Sequence, residues 1–60
     1  MNRSEFFRQL LREGCVFVRH GARHDIDQNP VTGKKQSVPR HAEIDGGLVR
    51  HIRKNLGLAL

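Results

Sequence analysis

Two short segments of this 60-residue chain bring together residue types that could do chemistry: Gly21-Ala22-Arg23-His24-Asp25-Ile26 and Val38-Pro39-Arg40-His41. Each sets a histidine beside a fixed cation. An imidazole that gains or loses a proton at about pH 7 can serve as general acid or base, and arginine holds phosphate through paired hydrogen bonds. Together these are the minimum equipment for cutting RNA, which supplies its own nucleophile. A base need only take the proton of a 2′-hydroxyl. The oxygen then attacks the adjacent phosphorus while cations stabilise the developing charge. No metal is needed for that reaction.

His24 is the candidate proton-transfer residue, with Arg23 or Arg40 for the phosphate. The competing reading makes it a strand histidine with no chemical role. Asp25 follows directly, but neighbours on a strand point to opposite faces, so contact between the two is not expected. Strict alternation also puts His24 on the side of Ile26, which should face the core. His24 must then sit at the sheet end, or a bulge must turn it outward. His41 could supply a second proton-transfer group or hold its loop by hydrogen bonds. His20, beside Gly21, reads as a turn residue, and His51 as a solvated helix residue. Four histidines invite a zinc site, but no pair stands at i,i+4 on a helix and Cys15 is alone, so none is expected. Lys34, Lys35 and Arg40 flank a strand and could form a phosphate-binding strip. Arg50, Arg53 and Lys54 could add a second along a helix, or simply be solvated. The RNA-binding candidates are therefore Arg23, Lys34, Lys35, Arg40 and His41.

Eleven Lys and Arg against six Asp and Glu give +5 with the histidines neutral, and the isoelectric point is about 10.8. Such a basic domain points first to nucleic acid, then to an acidic protein or an anionic membrane. Eight of the eleven basic residues are Arg, which suits bidentate phosphate contact better than mere solubility. Three Phe and no Trp or Tyr argue against base stacking on exposed aromatics, so sequence preference should be low. A chain this short buries only about 60% of its unfolded surface, so its core is thin and any site is shallow. The lone Cys15 excludes an internal disulfide and, if buried, suits a reducing compartment. No apolar run approaches the roughly 20 residues of a membrane span, and none follows Met1 in the manner of a signal peptide. The expected organisation is one cytoplasmic domain over residues 1–60, with no membrane and no small-molecule cofactor as partner.

Punctuation and periodicity define the elements that must position these residues. Ser4 can cap a helix, with Glu5 set against the dipole. Phe6, Phe7, Leu10 and Leu11 recur at helical spacing and Gly14 stops the run, giving a helix over 4–13. Cys15 to Arg19 reads as a first strand, His20-Gly21-Ala22 as a tight connection, and Arg23 to Gln28 as a polar second strand. Asn29-Pro30-Val31-Thr32-Gly33 is a turn. Lys34 to Val38 makes a third strand that Pro39 ends. Connections this short allow only an antiparallel meander. After a loop over 40–44, Asp45 caps a second helix whose apolar face is Leu48, Val49, Ile52 and Leu56. Gly57 ends it, and Leu58 and Leu60 pack back as a tail. The order α-β-β-β-α predicts an α+β fold, a three-stranded antiparallel sheet with two helices on one face. This is the double-stranded-RNA-binding topology, which implies contact with nucleic acid but not catalysis.

Taken in order, five pieces resemble the HicA family, the small toxins of bacterial toxin–antitoxin pairs. They are the helix ending at Gly14, the turn Gly21-Ala22-Arg23-His24, the hairpin Asn29-Pro30-Val31-Thr32-Gly33, Val38-Pro39-Arg40-His41, and the closing Ile52-Arg53-Lys54-Asn55-Leu56-Gly57-Leu58. Each piece alone is weak, and their order and spacing make the likeness specific over nearly the whole chain. It implies an mRNA-cutting ribonuclease on a double-stranded-RNA-binding-like fold, with mRNA as substrate and a HicB-type antitoxin as partner. In that family one histidine is catalytic, in a Gly-Ser-His or Gly-Ser-x-His setting at the start of the second strand, and His24 is the residue that fits. Ala22 stands where Ser is usual, so a hydroxyl is missing there, and Asp25 is not a general family feature. Two rival readings are a non-catalytic double-stranded-RNA-binding-like module and an inactive toxin relative that only binds its antitoxin. A DNA-binding accessory is disfavoured by Gly46 and Gly47 at the start of the second helix and by the lack of a helix-turn-helix.

Overall fold

Residues 1–59 are described by the computed structural model. Helix α1 spans Arg3–Arg12, strands β1, β2 and β3 span Val16–His20, His24–Gln28 and Lys35–Pro39, and helix α2 spans Gly46–Asn55. The strands form one antiparallel sheet in the order β1-β2-β3. Phe6 and Leu10 of α1 meet Val49 and Ile52 of α2 over Val38 of β3, and Cys15, Ile44 and Leu56 complete the core. Both helices therefore cover the same side of the sheet, in the α-β-β-β-α arrangement the sequence predicts. Burial pushes the Cys15 thiol up, which keeps it protonated and inert.

Local details differ from the sequence expectation where distant segments intervene. The cap of α1 is Asn2, not Ser4: its Oδ1 accepts from Glu5 N at 3.2 Å. The helix start is set by pairing between the first residues and the segment before α2. Arg3 N donates to Ala42 O at 2.9 Å, and Ile44 N to Met1 O at 2.8 Å. The apolar stripe of α1 is also narrower than its periodicity suggests. Phe7 is half-buried beneath the Arg3 guanidinium, 4.7 Å from the ring centroid, and Leu11 is 62% exposed. Likewise Leu48 lies at the margin of α2's apolar face, whereas Val49, Ile52 and Leu56 are buried. Leu58 packs against the core as expected; Leu60 lies outside the described residues.

The largest correction concerns β2. Its buried positions are Asp25 and Asp27, and Ile26 is only half-buried. Asp25 pairs with Val38 and Asp27 with Gln36, so both carboxylates lie on the helix-covered side. His24, Ile26 and Gln28 pair with Pro39, Ser37 and Lys35 and occupy the uncovered side. His24 therefore needs no special turn to reach solvent. The irregularity is in β1 instead, between Phe17 and Arg19. A carboxylate tolerates burial only with charged or hydrogen-bonded partners. Those of Asp25 come from α1 and from the segment after β3, which the alternation of β2 does not reveal.

Asn29 ties the β2–β3 turn to the end of α2. Its Nδ2 donates to Leu56 O at 2.8 Å while its Oδ1 accepts from Val31 N at 3.0 Å. Gly33, at φ +75, closes the turn in a conformation that favours glycine. Leu56 O is among the carbonyls that a helix end leaves without an internal partner. Leu56 O also accepts from Thr32 Oγ1 at 3.2 Å, so Asn29→Ala strands no acceptor and is expected to cost about 1 kcal/mol through the two bonds it removes. The measurement is the urea midpoint, which should fall at constant slope.

Candidate functional site

The end of the sheet where β1 turns into β2 gathers the polar chemistry. Gly21 N donates to His24 O at 2.6 Å and closes the turn. A Cβ on Gly21 would stand 2.9 Å from that carbonyl oxygen, so a side chain there would push the strands apart. Behind the turn sits the Asp25 carboxylate, 3% exposed. Arg3 of α1 bonds Oδ2, His20 Nδ1 lies 2.7 Å from Oδ1, and Arg40 Nε donates to Oδ1 at 3.0 Å. Arg40 Nη2 also donates to Gly21 O at 2.6 Å, so one guanidinium holds both the carboxylate and the turn. Burial opposes ionisation of Asp25. The hydrogen bonds of His20 and Arg40 and the charges of Arg3 and Arg40 outweigh it, and they hold the carboxyl below its ordinary range.

His24 opens β2 with its side chain exposed on the uncovered face. Asp25 points the other way, as alternation requires, and its carboxylate meets His20 rather than His24. Arg23 is exposed in the adjoining turn, and Arg40 and His41 follow β3 at the same end, because His24 pairs with Pro39. Lys34 and Lys35 are not brought to this end. Lys35 pairs with Gln28, roughly 14 Å along the strand from His24 but on the same face. Arg19, paired with Ile26, also stands on that face. The uncovered side of the sheet thus presents Arg19, Lys35 and His24, while both β2 carboxylates lie behind it.

His20, Asp25 and Arg3 form a cluster that sequence reasoning did not assemble. The pairing of His20 with Asp25 follows once the turn is closed between Gly21 and His24, so the register held a usable signal. Arg3, on a helix far away in sequence, gave none.

A family model described as "HicA toxin of bacterial toxin-antitoxin" matches residues 3–58. The chain belongs to the HicA toxin family. No curated protein and no solved structure matches it. As a HicA-family member it is the toxin of a toxin–antitoxin system, and an antitoxin is its partner.

Other charges of this HicA chain have structural duties. Arg53, one of the cations that could have lined a phosphate strip, ties α2 to α1: it bonds Gln9 Oε1 at 2.8 Å and both oxygens of Glu13. The bond to Arg53 holds the Glu13 carboxyl below its ordinary range. Among the described residues no group of His, Cys, Asp and Glu is placed to hold a metal ion, and no helix is long and apolar enough to cross a membrane.

Asp27 is the unfavourable charge of the sheet. Its Oδ1 is buried without a hydrogen-bond partner. Burial, and then the Asp25 charge, push its carboxyl from 3.8 to about 6, against the pull of Arg3. A raised folded-state pKa favours the protonated native form. The stabilisation is complete below the ordinary value and lost as pH rises through about 6. Above that, the ionised group opposes folding by an amount on the order of 3 kcal/mol. Asp27→Asn removes the charge at nearly constant shape. It should stabilise the chain by about 1–2 kcal/mol at about pH 7.5, with the gain fading towards about pH 4. Thermal melts at both pH values check this, and a gain that ignores pH would refute it.

Proposed function

We propose that this chain is a metal-independent endoribonuclease that cleaves mRNA in the cytoplasm and so halts translation, and that a HicB-type antitoxin holds it inactive. The observation that carries this reading is the separation of charge across the sheet. An exposed His24 shares the open face of the sheet with Arg19 and Lys35, at the sheet end where Arg23, Arg40 and His41 also lie, with the carboxylates of β2 turned to the other side. RNA on that face meets cations without facing an acid. A 2′-hydroxyl beside His24 gives its proton to the imidazole, the oxygen attacks the neighbouring phosphorus, and guanidinium groups stabilise the charge. Arg19, Lys34 and Lys35 extend the phosphate track along the strands. An antitoxin lying over this face would shut off RNA and stabilise a thin core by mass action.

The test is to incubate the purified chain with RNA in EDTA. Scission that leaves 2′,3′-cyclic phosphate and 5′-hydroxyl ends supports the reading. Intact RNA that is nevertheless bound would make the chain a non-catalytic module. Intact and unbound RNA would leave an inactive relative that serves only its antitoxin.

A further inference from the structure

We infer that the free edge of β1 is the docking site for an extended segment of the antitoxin, which adds a fourth strand to the sheet. This rests on the antitoxin partnership and is independent of RNA cleavage. β1 bonds to β2 on one side only. Among the described residues nothing in the chain bonds the main-chain groups of its other edge, and all five of its residues are exposed. In an antiparallel ladder alternate residues turn their N–H and C=O groups away from the existing partner, so this edge offers a second row of donors and acceptors. The two edges of the sheet differ in character. Along β3 the exposed side chains are Lys35 and Ser37, and Pro39 has no N–H to donate. β1 instead begins Val16-Phe17-Val18, side chains that are 43%, 47% and 38% exposed. Its bulge lies between Phe17 and Arg19, which leaves Val16 and Phe17 in regular register.

Helix α1 extends this apolar surface. Its Gln9 and Glu13 face α2 through Arg53, and α2 packs on β3 at the far edge of the sheet. Phe7 and Leu11, one turn apart, stand on the other flank of α1, towards β1. Leu11 is 62% exposed and Phe7 half-buried. Phe17 pairs with Asp27 and so lies on the same helix-covered side. A strand laid along β1 buries its inward side chains against Phe7, Leu11 and Phe17. Charge identifies the occupant. Arg8, Arg12 and Arg19 are exposed around this shelf. Of the six carboxylates, Asp25 and Asp27 are buried, Glu13 and Glu43 pair with Arg53 and the N-terminus, and Asp45 caps α2, which leaves Glu5. A second copy of the chain would therefore bring cations to cations, at +5 on each side. An antitoxin segment with apolar residues at alternate positions and acidic flanks satisfies both shelf and rim. Arg19 belongs to β1 and to the open face alike, so a partner seated on this edge borders the proposed RNA track.

The experiment titrates the purified cognate antitoxin into the full chain by calorimetry, for wild type, Leu11→Ala, Phe17→Ala, Arg8→Glu and Lys35→Ala. Amide hydrogen exchange is followed by NMR in the free chain and in the complex. Leu11→Ala and Phe17→Ala should each weaken binding about tenfold or more. Arg8→Glu should weaken it too and reduce its dependence on salt. In the complex, the β1 amides that face away from β2 should exchange at least about tenfold more slowly than in the free chain. Circular dichroism melts check the folding of each variant, and Leu11, exposed on its helix, gives the variant that least disturbs the core. Wild-type affinity in both alanine variants, or edge amides that exchange equally fast free and bound, would overturn the proposal. A loss confined to Lys35→Ala would seat the antitoxin on the open face alone and overturn it as well. So would a free chain that dimerises with its edge amides already protected, since a second copy then holds the edge. RNA cleavage by the free chain, tested by the EDTA assay above, stands or falls separately from all of these results.

Discussion

If the proposed nuclease activity holds, replacing His24 with alanine should lower the rate of RNA cleavage by about 10²–10⁴-fold while leaving the fold and RNA binding close to wild type. The expectation of a quiet structural effect comes from the site itself. His24 is exposed, and it is its main-chain carbonyl, not its ring, that closes the turn with Gly21. Alanine keeps that carbonyl. The change in stability should stay within about 0.5 kcal/mol, as at other surface positions free of special contacts. Arg23, Arg40, Lys34 and Lys35, the proposed phosphate contacts, are untouched, so affinity for RNA should persist. Single-turnover cleavage of labelled RNA, read beside a binding isotherm and a thermal melt, separates chemistry from folding. A variant that cuts as fast as wild type would remove His24 from the reaction.

Asp25→Ala has its expected effect on the fold instead, a loss of about 3–5 kcal/mol. One buried carboxylate holds Arg3, His20 and Arg40 together. Without it the Arg3 and Arg40 guanidiniums and the His20 ring lose their shared partner, and the turn keeps only the bonds of Gly21 to Arg40 and to His24 O. The total stability of a chain this size is on the order of 3–9 kcal/mol, so much of the variant should be unfolded on its own. A partner that binds only the folded form would restore it by mass action. Circular dichroism in urea, without and with the antitoxin, measures both effects; a variant as stable as wild type would show that the cluster does not support the sheet end. The pH dependence adds a second check. The folded Asp25 carboxyl is held low, so its contribution is present above the ordinary carboxylate value and lost as pH falls through the lowered one. Asp27 acts in the opposite sense, its contribution fading as pH rises through about 6. From these two neighbours alone, wild-type stability should peak between about pH 4 and 6, and Asp25→Ala should blunt the acid side of that peak.

The order of elements was legible in the sequence because its signals are local. Apolar residues at helical spacing, Asp45 as a cap, the Asn29–Gly33 turn and connections too short for crossovers act within a few residues of where they stand. They lead to the α-β-β-β-α arrangement the chain adopts. The basic character of the chain and the prominence of His24 come from composition and motif, and those need no coordinates. Which face of β2 is covered was decided elsewhere. Alternation says only that His24 and Ile26 share a side, and hydrophobicity assigns that side to the core. The structure buries Asp25 and Asp27 instead, with cations from α1 and from beyond β3 bonding Asp25. For the same reason α1 starts at a cap supported by pairing with residues 42–44, and Arg53 serves Glu13 rather than phosphate. A hydrogen bond or ion pair between segments distant in the chain depends on how helices and sheet pack, and residue spacing carries no record of it. The sequence by itself therefore determined the elements and the charge, and it singled out His24 as the candidate. Only the tertiary structure decided which carboxylates are hidden, and that hidden charge is what leaves the open face of the sheet basic.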